Sequence, residues 1–132
     1  MSTAEATGKP TLFMAEDEED TASLLKFLLE RAGYHVVHAP DGHQAQQFID
    51  TMAPPSLILL DIMLPHFSGL QLLPYIRKKT EWQRVPIIML TADSSEHDIQ
   101  QALAAGANDY IVKPFNPREL TARLSRFLKV AA

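Results

Sequence analysis

The 132-residue sequence contains no cysteine, which excludes disulfides, thiol catalysis and cysteine-based zinc sites. Its net charge of -4 argues against a domain that binds a phosphate backbone directly, so no nucleic-acid partner is expected. No apolar run approaches the ~18 residues of a membrane span, and the first ten residues lack the apolar core of a signal peptide. We therefore expect a cytoplasmic protein without a membrane partner, with a disordered lead-in at residues 1–10.

The composition is that of one globular domain, with 46% hydrophobic and 21% charged residues. Short apolar runs alternate five times with segments in which apolar residues recur at helical spacing. Strand–helix alternation indicates parallel βαβ units, and continuous apolar strands fit a sheet that is covered on both faces. Five units are too few for an eight-stranded barrel. The sequence predicts an α/β fold with an open, doubly wound, five-stranded parallel sheet.

The helical patterns carry finer predictions. The first helix is expected to bury Leu24, and the fourth, from Ser95 to about residue 105, is expected to bury Leu103. Pro74 lies inside the third helical pattern, where it removes one backbone hydrogen bond and is expected to bend the helix. Trp82 falls in a connecting loop, where it either shields the loop or binds a partner.

The stretch Leu57–Pro65 contains the most unusual residue of the chain. Asp61 directly follows an apolar strand and precedes another apolar segment. A charged aspartate is costly in a core, so we expect it at the rim of the sheet, where a neighbouring group compensates its charge. The carboxyl ends of parallel strands meet at one edge, which is where open α/β sheets bind ligands. The chemical residues at those strand ends are Glu16 and Asp17, His38, Asp61, Thr91, and Lys113.

Three carboxylates at one edge repel one another, at a cost of about 4 kcal/mol for a pair 4 Å apart at an effective dielectric near 20. A divalent cation would offset this repulsion, and an all-oxygen ligand set favours Mg²⁺ or Mn²⁺ over zinc. An aspartate left partly free could attack a phosphoryl group to form an acyl phosphate. Lys113 would then neutralise charge on its oxygens, and the Thr91 hydroxyl could hydrogen-bond one of them.

These motifs, in this order along residues 11–130, resemble the receiver domain of two-component response regulators, whose fold is CheY-like with strand order 2-1-3-4-5. The resemblance implies that Asp61 accepts a phosphoryl group from a histidine kinase or phosphotransfer protein. It also implies the remaining site residues: Asp17, Asp61 and the backbone carbonyl of Met63 as ligands of Mg²⁺, Glu16 acting through a water, Thr91 and the backbone N–H of Ala92 for phosphate oxygens, Lys113 as a further phosphate partner preceding a cis proline, and Tyr110 as the switch aromatic.

The resemblance further implies a switch whose output face is formed by the fourth helix, fifth strand and fifth helix. That face would control an effector domain or protein, or a phosphorylation-dependent homodimer. The family's interlocking dimer charges are matched by Asp109, Glu119 and Arg123, whereas Ile99 stands where a basic residue is usual. Asp93 occupies a variable position beside the acceptor. Because the sequence ends after the fifth helix, we expect a stand-alone regulator, an excised receiver, or part of a hybrid kinase.

Three alternative readings are open. An enzyme of the haloacid-dehalogenase type also uses a strand-end aspartate and Mg²⁺, but it needs a second aspartate where this chain has Met63. A flavodoxin-like module that binds FMN would need a loop rich in Ser, Thr and Gly after the first strand, where this chain has acids. A degenerate receiver that serves only as a scaffold is disfavoured because the full set of site residues is present.

Overall fold

The computed structural model describes residues 8–92 and 96–127. The predictions for residues 1–7, for Asp93 and Ser95, and for the chain beyond residue 127 lie outside these residues. The described strands are β1 Thr11–Ala15, β2 His35–Ala39, β3 Leu57–Asp61, β4 Ile87–Thr91 and β5 Asp109–Val112. The described helices are α1 Glu19–Arg31, α2 Gly42–Thr51, α3 Gly69–Arg77, α4 Glu96–Ala104 and α5 Pro117–Ser125, with a 3-10 helix at Thr80–Trp82.

The five strands form one parallel sheet in the order β2-β1-β3-β4-β5, which confirms the predicted fold and strand order. The pairing register places Asp61 opposite Leu90, so Thr91 lies one residue beyond the partner of Asp61. Thr91 in turn pairs with Val112, the residue before Lys113. Register alone therefore brings the strand-end residues of β3, β4 and β5 together. We call this side of the sheet the carboxyl edge, and the opposite side the amino edge.

Apolar side chains cover both faces of the sheet, which explains why its central strands have continuous rather than alternating apolar sequences. Every residue of β3 and β4 is buried. The core on one face joins α2 and α3 through residues such as Phe13, Ile49, Ile58, Leu72 and Met89. The core on the other face joins α1 and α5 through residues such as Leu12, Leu25, Leu59, Leu90 and Leu120. Full burial of one such side chain contributes about 1.5–3 kcal/mol to folding.

Side-chain caps start the helices α1, α2, α3 and α5. Ser68 and Gln71 form a capping box at the start of α3, and Asn116 accepts from backbone N–H groups ahead of Pro117 at the start of α5. Glu18 caps α1 in the same way. Because these caps set where each helix begins, the short segments between strand and helix are confined to the carboxyl edge.

The structure corrects two predicted core positions and adds Trp82 to the core. Leu24 and Leu103 are 49% and 42% exposed, because α1 and α4 each turn a narrower apolar face to the sheet than their sequences suggest. Trp82 is fully buried within the 3-10 helix, so it belongs to the core on the α2–α3 face rather than to an open loop. Helix α3 continues through Pro74, and the bend expected there stays a prediction.

At the amino edge, Arg77 joins three chain segments. Its guanidinium donates to the carbonyl of Gly106 from Nε at 3.1 Å and from Nη2 at 2.8 Å. The further acceptors are the carbonyls of Trp82, Gln83 and Val85 and the side-chain oxygen of Asn108. Burial lowers the pKa of this guanidinium. Within the described residues, its hydrogen bonds all end on uncharged oxygen atoms, which hold the C-terminal end of α3 against the segments that enter β4 and β5.

Candidate functional site

Three carboxylates meet at the carboxyl edge. Glu16 and Asp17 directly follow β1, and Asp61 is the last residue of β3. One carboxylate oxygen from each of the three lies within 4.8 Å of the other two. Glu16 and Asp61 are buried, at 0% and 3% exposure, whereas Asp17 is exposed. Of the three carboxylates, Asp17 is therefore the one that is exposed to solvent.

Lys113, directly after β5, neutralises part of this charge. Its Nζ lies 2.6 Å from Oε1 of Glu16 and 2.7 Å from Oδ2 of Asp61. Burial alone would lower the pKa of Lys113, but its contacts with Asp61 and Glu16 outweigh that effect and raise the pKa. The ammonium is therefore charged, and it bridges the two buried carboxylates. One ammonium against three carboxylates still leaves an excess of negative charge.

Burial also perturbs the carboxyl group of Glu16. Desolvation raises the pKa of its carboxyl group to about 7, although Lys113 and the backbone N–H of Glu18 act in the opposite direction. The neighbouring carboxylate of Asp61 raises the pKa further. Near neutral pH and without another cation, Glu16 is therefore partly protonated, which reduces the excess negative charge of the cluster. The donor set of three carboxylates fits a hard divalent cation such as Mg²⁺, which would favour the ionised form of Glu16.

The two oxygens of Asp61 have different partners. Oδ2 contacts Lys113, whereas Oδ1 accepts from the backbone N–H of Met63 at 2.9 Å. The Met63 side chain itself is 74% exposed. Close packing at Gly69 fixes the backbone on the other side, because a Cβ there would lie 2.2 Å from the carbonyl oxygen of Asp61. The start of α3 can approach the aspartate this closely only because residue 69 is glycine.

The remaining predicted residues occupy β4, β5 and their ends. Thr91 is 3% exposed, Ala92 follows it and is exposed, and the Thr91 carbonyl accepts from the Lys113 N–H at 2.7 Å. The Lys113–Pro114 peptide bond is cis, as the resemblance implies. Thr91 and Lys113 therefore lie on neighbouring strand ends, and Lys113 contacts Asp61.

Tyr110 lies one strand away from Thr91 and is half-buried. It packs against the core on the α2–α3 face, and the guanidinium of Arg123 lies 5.7 Å from its ring centre. Arg123 also binds Asp109 at 2.9 Å and Glu119 at 3.1 Å. The three charges expected to interlock across a dimer therefore pair within one chain here.

Sequence reasoning missed the contacts that hold the acidic segment after β1. Nε2 of His38 lies 2.8 Å from the carbonyl oxygen of Glu16, and the Glu18 N–H donates to Oε2 of Glu16. The sequence placed His38 at the end of the second strand as a partly exposed residue, which is confirmed. Its contact with Glu16 could not be read from spacing, since the two residues are 22 positions apart.

Beside this cluster lies a cleft of about 470 Å³. It is lined by Asp17, Glu19, Ala22, Ser23, Lys26, His38 and Pro40. Asp17 belongs to both the cleft and the carboxylate cluster, so the cleft adjoins the site.

In the part of the chain that the structure describes, no helix has the length and apolarity that a bilayer crossing requires.

Comparisons with known proteins agree with this geometry. The family model for the response regulator receiver domain matches residues 12–125. The chain is 41% identical over 118 residues to the alkaline phosphatase synthesis transcriptional regulatory protein PhoP of Bacillus subtilis (strain 168), covering 89% of this chain and 48% of PhoP. The chain spans about half the length of the curated relatives it matches.

Two solved structures share the fold over nearly the whole chain. One is the receiver domain of the sensor histidine kinase PA1611 from Pseudomonas aeruginosa PAO1, solved with a magnesium ion coordinated in its active site cleft. It has a TM-score of 0.82 and 34% identity, and the match covers 90% of this chain and 97% of that chain. The other is the chemotaxis protein CheY4 of Vibrio cholerae, with a TM-score of 0.85, 30% identity, and 91% and 99% coverage.

Proposed function

Because this chain belongs to the response regulator receiver family, we propose that Asp61 accepts a phosphoryl group from a histidine kinase or phosphotransfer protein. One observation carries the proposal: Lys113 contacts both Asp61 and Glu16, inside a cluster of three carboxylates that has room for one more cation. The family is one of signalling switches. The chain's own chemistry is its phosphorylation and dephosphorylation, not turnover of a separate substrate.

The metal in this proposal is Mg²⁺, for which Mn²⁺ can substitute. Asp17, Asp61 and the backbone carbonyl of Met63 would bind it directly, and Glu16 would act through a water. The all-oxygen donor set supports this choice, as does the magnesium ion in the PA1611 receiver structure. When bound, Mg²⁺ supplies positive charge that neutralises the phosphoryl oxygens during transfer.

In the transfer step, an oxygen of Asp61 forms a bond to phosphorus while the bond from phosphorus to the donor nitrogen breaks. The electron pair of that bond stays on the donor nitrogen, which takes a proton from solvent. Lys113, which contacts two carboxylates before the step, would exchange one of them for a phosphoryl oxygen. The Thr91 hydroxyl and the Ala92 N–H would hold the other oxygens.

Phosphorylation adds about two negative charges at Asp61, and these would draw Thr91 and Lys113 toward the site. Tyr110 would then turn into the space near Thr91 and change the face formed by α4, β5 and α5. Shifting a population from 1:99 to 99:1 requires a preference of about 5.5 kcal/mol. Two or three charge-assisted hydrogen bonds, at about 1.5–3 kcal/mol each, are of the right size.

The relatives suggest what this receiver domain controls. PhoP is named a transcriptional regulatory protein and is about twice as long as the part that matches, so an attached effector domain is one arrangement for this receiver. The face formed by α4, β5 and α5 would contact an effector domain or protein, or a second copy of the chain. We place the chain in the cytoplasm and expect neither membrane nor direct nucleic-acid contact by this domain.

The phosphorylation assignment can be tested with acetyl phosphate as donor in the presence of Mg²⁺. We expect one phosphoryl group per chain, lost on treatment with hydroxylamine, as for an acyl phosphate. Asp61→Asn should abolish labelling, because an amide is not a competent nucleophile. Asp41→Asn is a matched control at the same edge, where the side chain caps α2 and asparagine caps equally well. Undiminished labelling of Asp61→Asn, as seen by intact mass, would refute the assignment.

A further inference from the structure

His38 completes the hydrogen bonding where β2 ends. Ladder pairing between β1 and β2 reaches Ala15 and Ala39, and the Glu16 N–H still donates to the Ala39 carbonyl at 3.1 Å. Pro40 follows, and the Glu16 carbonyl beyond this point contacts Nε2 of His38 at 2.8 Å. A carbonyl oxygen can only accept a hydrogen bond, so Nε2 carries the proton. The Glu16 residue is thus held at its N–H and at its C=O by the end of β2.

This carbonyl belongs to the peptide bond that leads into Asp17. The segment between β1 and α1 contains only Glu16, Asp17 and Glu18. The segment is also held by the Ala39 carbonyl, by Lys113 at the Glu16 side chain, and by the Glu18 N–H, which donates to the Glu16 side chain at 3.0 Å. The imidazole is therefore an anchor that substitution can remove without altering a carboxylate or the backbone.

His38 also lines the cleft that includes Asp17 and Lys26. Without the imidazole, water from this cleft could reach the Glu16 carbonyl and take its hydrogen bond. The peptide would then be held by a mobile molecule rather than by a side chain fixed on the sheet. Asp17, the exposed member of the carboxylate cluster, directly follows this peptide bond.

We infer that His38 is a positioning residue for the metal site: its hydrogen bond to the Glu16 carbonyl orients the Glu16–Asp17 peptide so that Asp17 and Asp61 can share one cation. This inference rests on the proposed function, because it takes the carboxylate cluster as the Mg²⁺ site. It assigns to the end of β2 a role that none of the three carboxylates can perform.

The test is to measure Mg²⁺ affinity by calorimetry, and Mn²⁺ binding by electron paramagnetic resonance, for three variants. His38→Leu should lower the affinity for both ions about three- to tenfold, which is the size expected for one supporting hydrogen bond. His38→Gln should restore affinity to within about twofold, since its amide nitrogen can donate from a similar position. His35→Leu is the matched control, because His35 lies on the same strand and is also half-buried.

The outcomes distinguish failure of this inference from failure of the proposed metal site. Wild-type affinity in His38→Leu would overturn the inference, and so would a His38→Gln variant as weak as His38→Leu. Equal weakening by His35→Leu would do the same, because the effect would then belong to β2 in general. If the wild-type chain bound no Mg²⁺ at all, both this inference and the proposed metal site would fail. Binding by the wild type that is unchanged in His38→Leu removes the inference alone.

Discussion

The two edges of the sheet each contain a partly buried cation, but they satisfy it differently. At the carboxyl edge, Lys113 contacts two carboxylates, and a third acid lies beside them. At the amino edge, Arg77 donates to backbone carbonyls and to one side-chain amide. The carboxyl edge has more negative charge than it can neutralise, whereas the partners of Arg77 are uncharged dipoles in fixed positions.

This difference separates binding from folding. Removing a carboxylate from the carboxyl edge relieves repulsion, so the acids there cost stability and are available to a cation. Removing the cation from the amino edge leaves several carbonyls without donors, so Arg77 contributes to stability. Neutralising an acid at the carboxyl edge and removing Arg77 at the amino edge should therefore change the free energy of unfolding in opposite directions.

The largest effect is expected from Arg77→Ala. The variant leaves the carbonyls of Gly106 and Val85 without this donor, and an unpaired buried acceptor costs about 1–3 kcal/mol, whereas the Trp82 carbonyl keeps the Val85 N–H. We expect the free energy of unfolding to fall by about 3 kcal/mol, measured by urea denaturation followed with circular dichroism.

Two variants make the Arg77 result specific. Arg84→Ala removes an exposed arginine from the same connection and should change stability by less than about 0.5 kcal/mol. Arg77→Lys keeps the charge but lacks the planar fork, so it should recover less than half of the loss. Full recovery by lysine would mean that charge, rather than the fixed pattern of carbonyls, matters at the amino edge.

An effect of opposite sign and smaller size is expected from Asp17→Asn. Without Mg²⁺, the loss of one repelling carboxylate should raise the free energy of unfolding by about 1 kcal/mol. With Mg²⁺ at about 100 times its dissociation constant, the wild type should gain about 2.7 kcal/mol and overtake the variant. Thermal unfolding with EDTA and with Mg²⁺ measures both quantities.

Asp20→Asn controls for the loss of a charge near the start of α1. Asp20 lies in the first turn of the helix and outside the carboxylate cluster, so its neutralisation should slightly lower stability, by about 0.3–1 kcal/mol. A destabilised Asp17→Asn variant in EDTA would contradict the view that the carboxyl edge is strained by its own charge.

The smallest effect is expected from Met63→Ala, although Met63 is next but one to Asp61. Its side chain is 74% exposed, and its backbone N–H is what contacts Asp61. The variant should change stability by less than about 0.5 kcal/mol. Calorimetry should find an unchanged Mg²⁺ affinity, and a clear loss would show that the side chain shields the site.

The fold and the members of the site could be predicted because both depend on strand ends. Asp61, Thr91 and Lys113 each stand at the point where an apolar run stops, and a parallel sheet brings such points to one edge. The exposure of Leu24 and Leu103 could not be predicted, because apolar spacing does not reveal how wide a helix face the neighbouring elements cover.

The contacts that support each edge were harder to predict. The partners of Arg77 are mostly backbone carbonyls, which every residue has and which no sequence pattern marks. The contact of His38 with Glu16 likewise depends on where β2 stops relative to β1. Charged side chains at strand ends leave a signal in the sequence, whereas side chains that hold a backbone in place do not.

The buried position of Trp82 has a practical consequence for optical work on this protein. It is the single tryptophan of the chain, it is fully buried, and its indole N–H finds no acceptor within the described residues. It precedes β4, so a strand of five residues, roughly 17 Å at about 3.3 Å each, separates it from the carboxyl edge. Its fluorescence should therefore report loss of the core while remaining insensitive to the ligand state of the site.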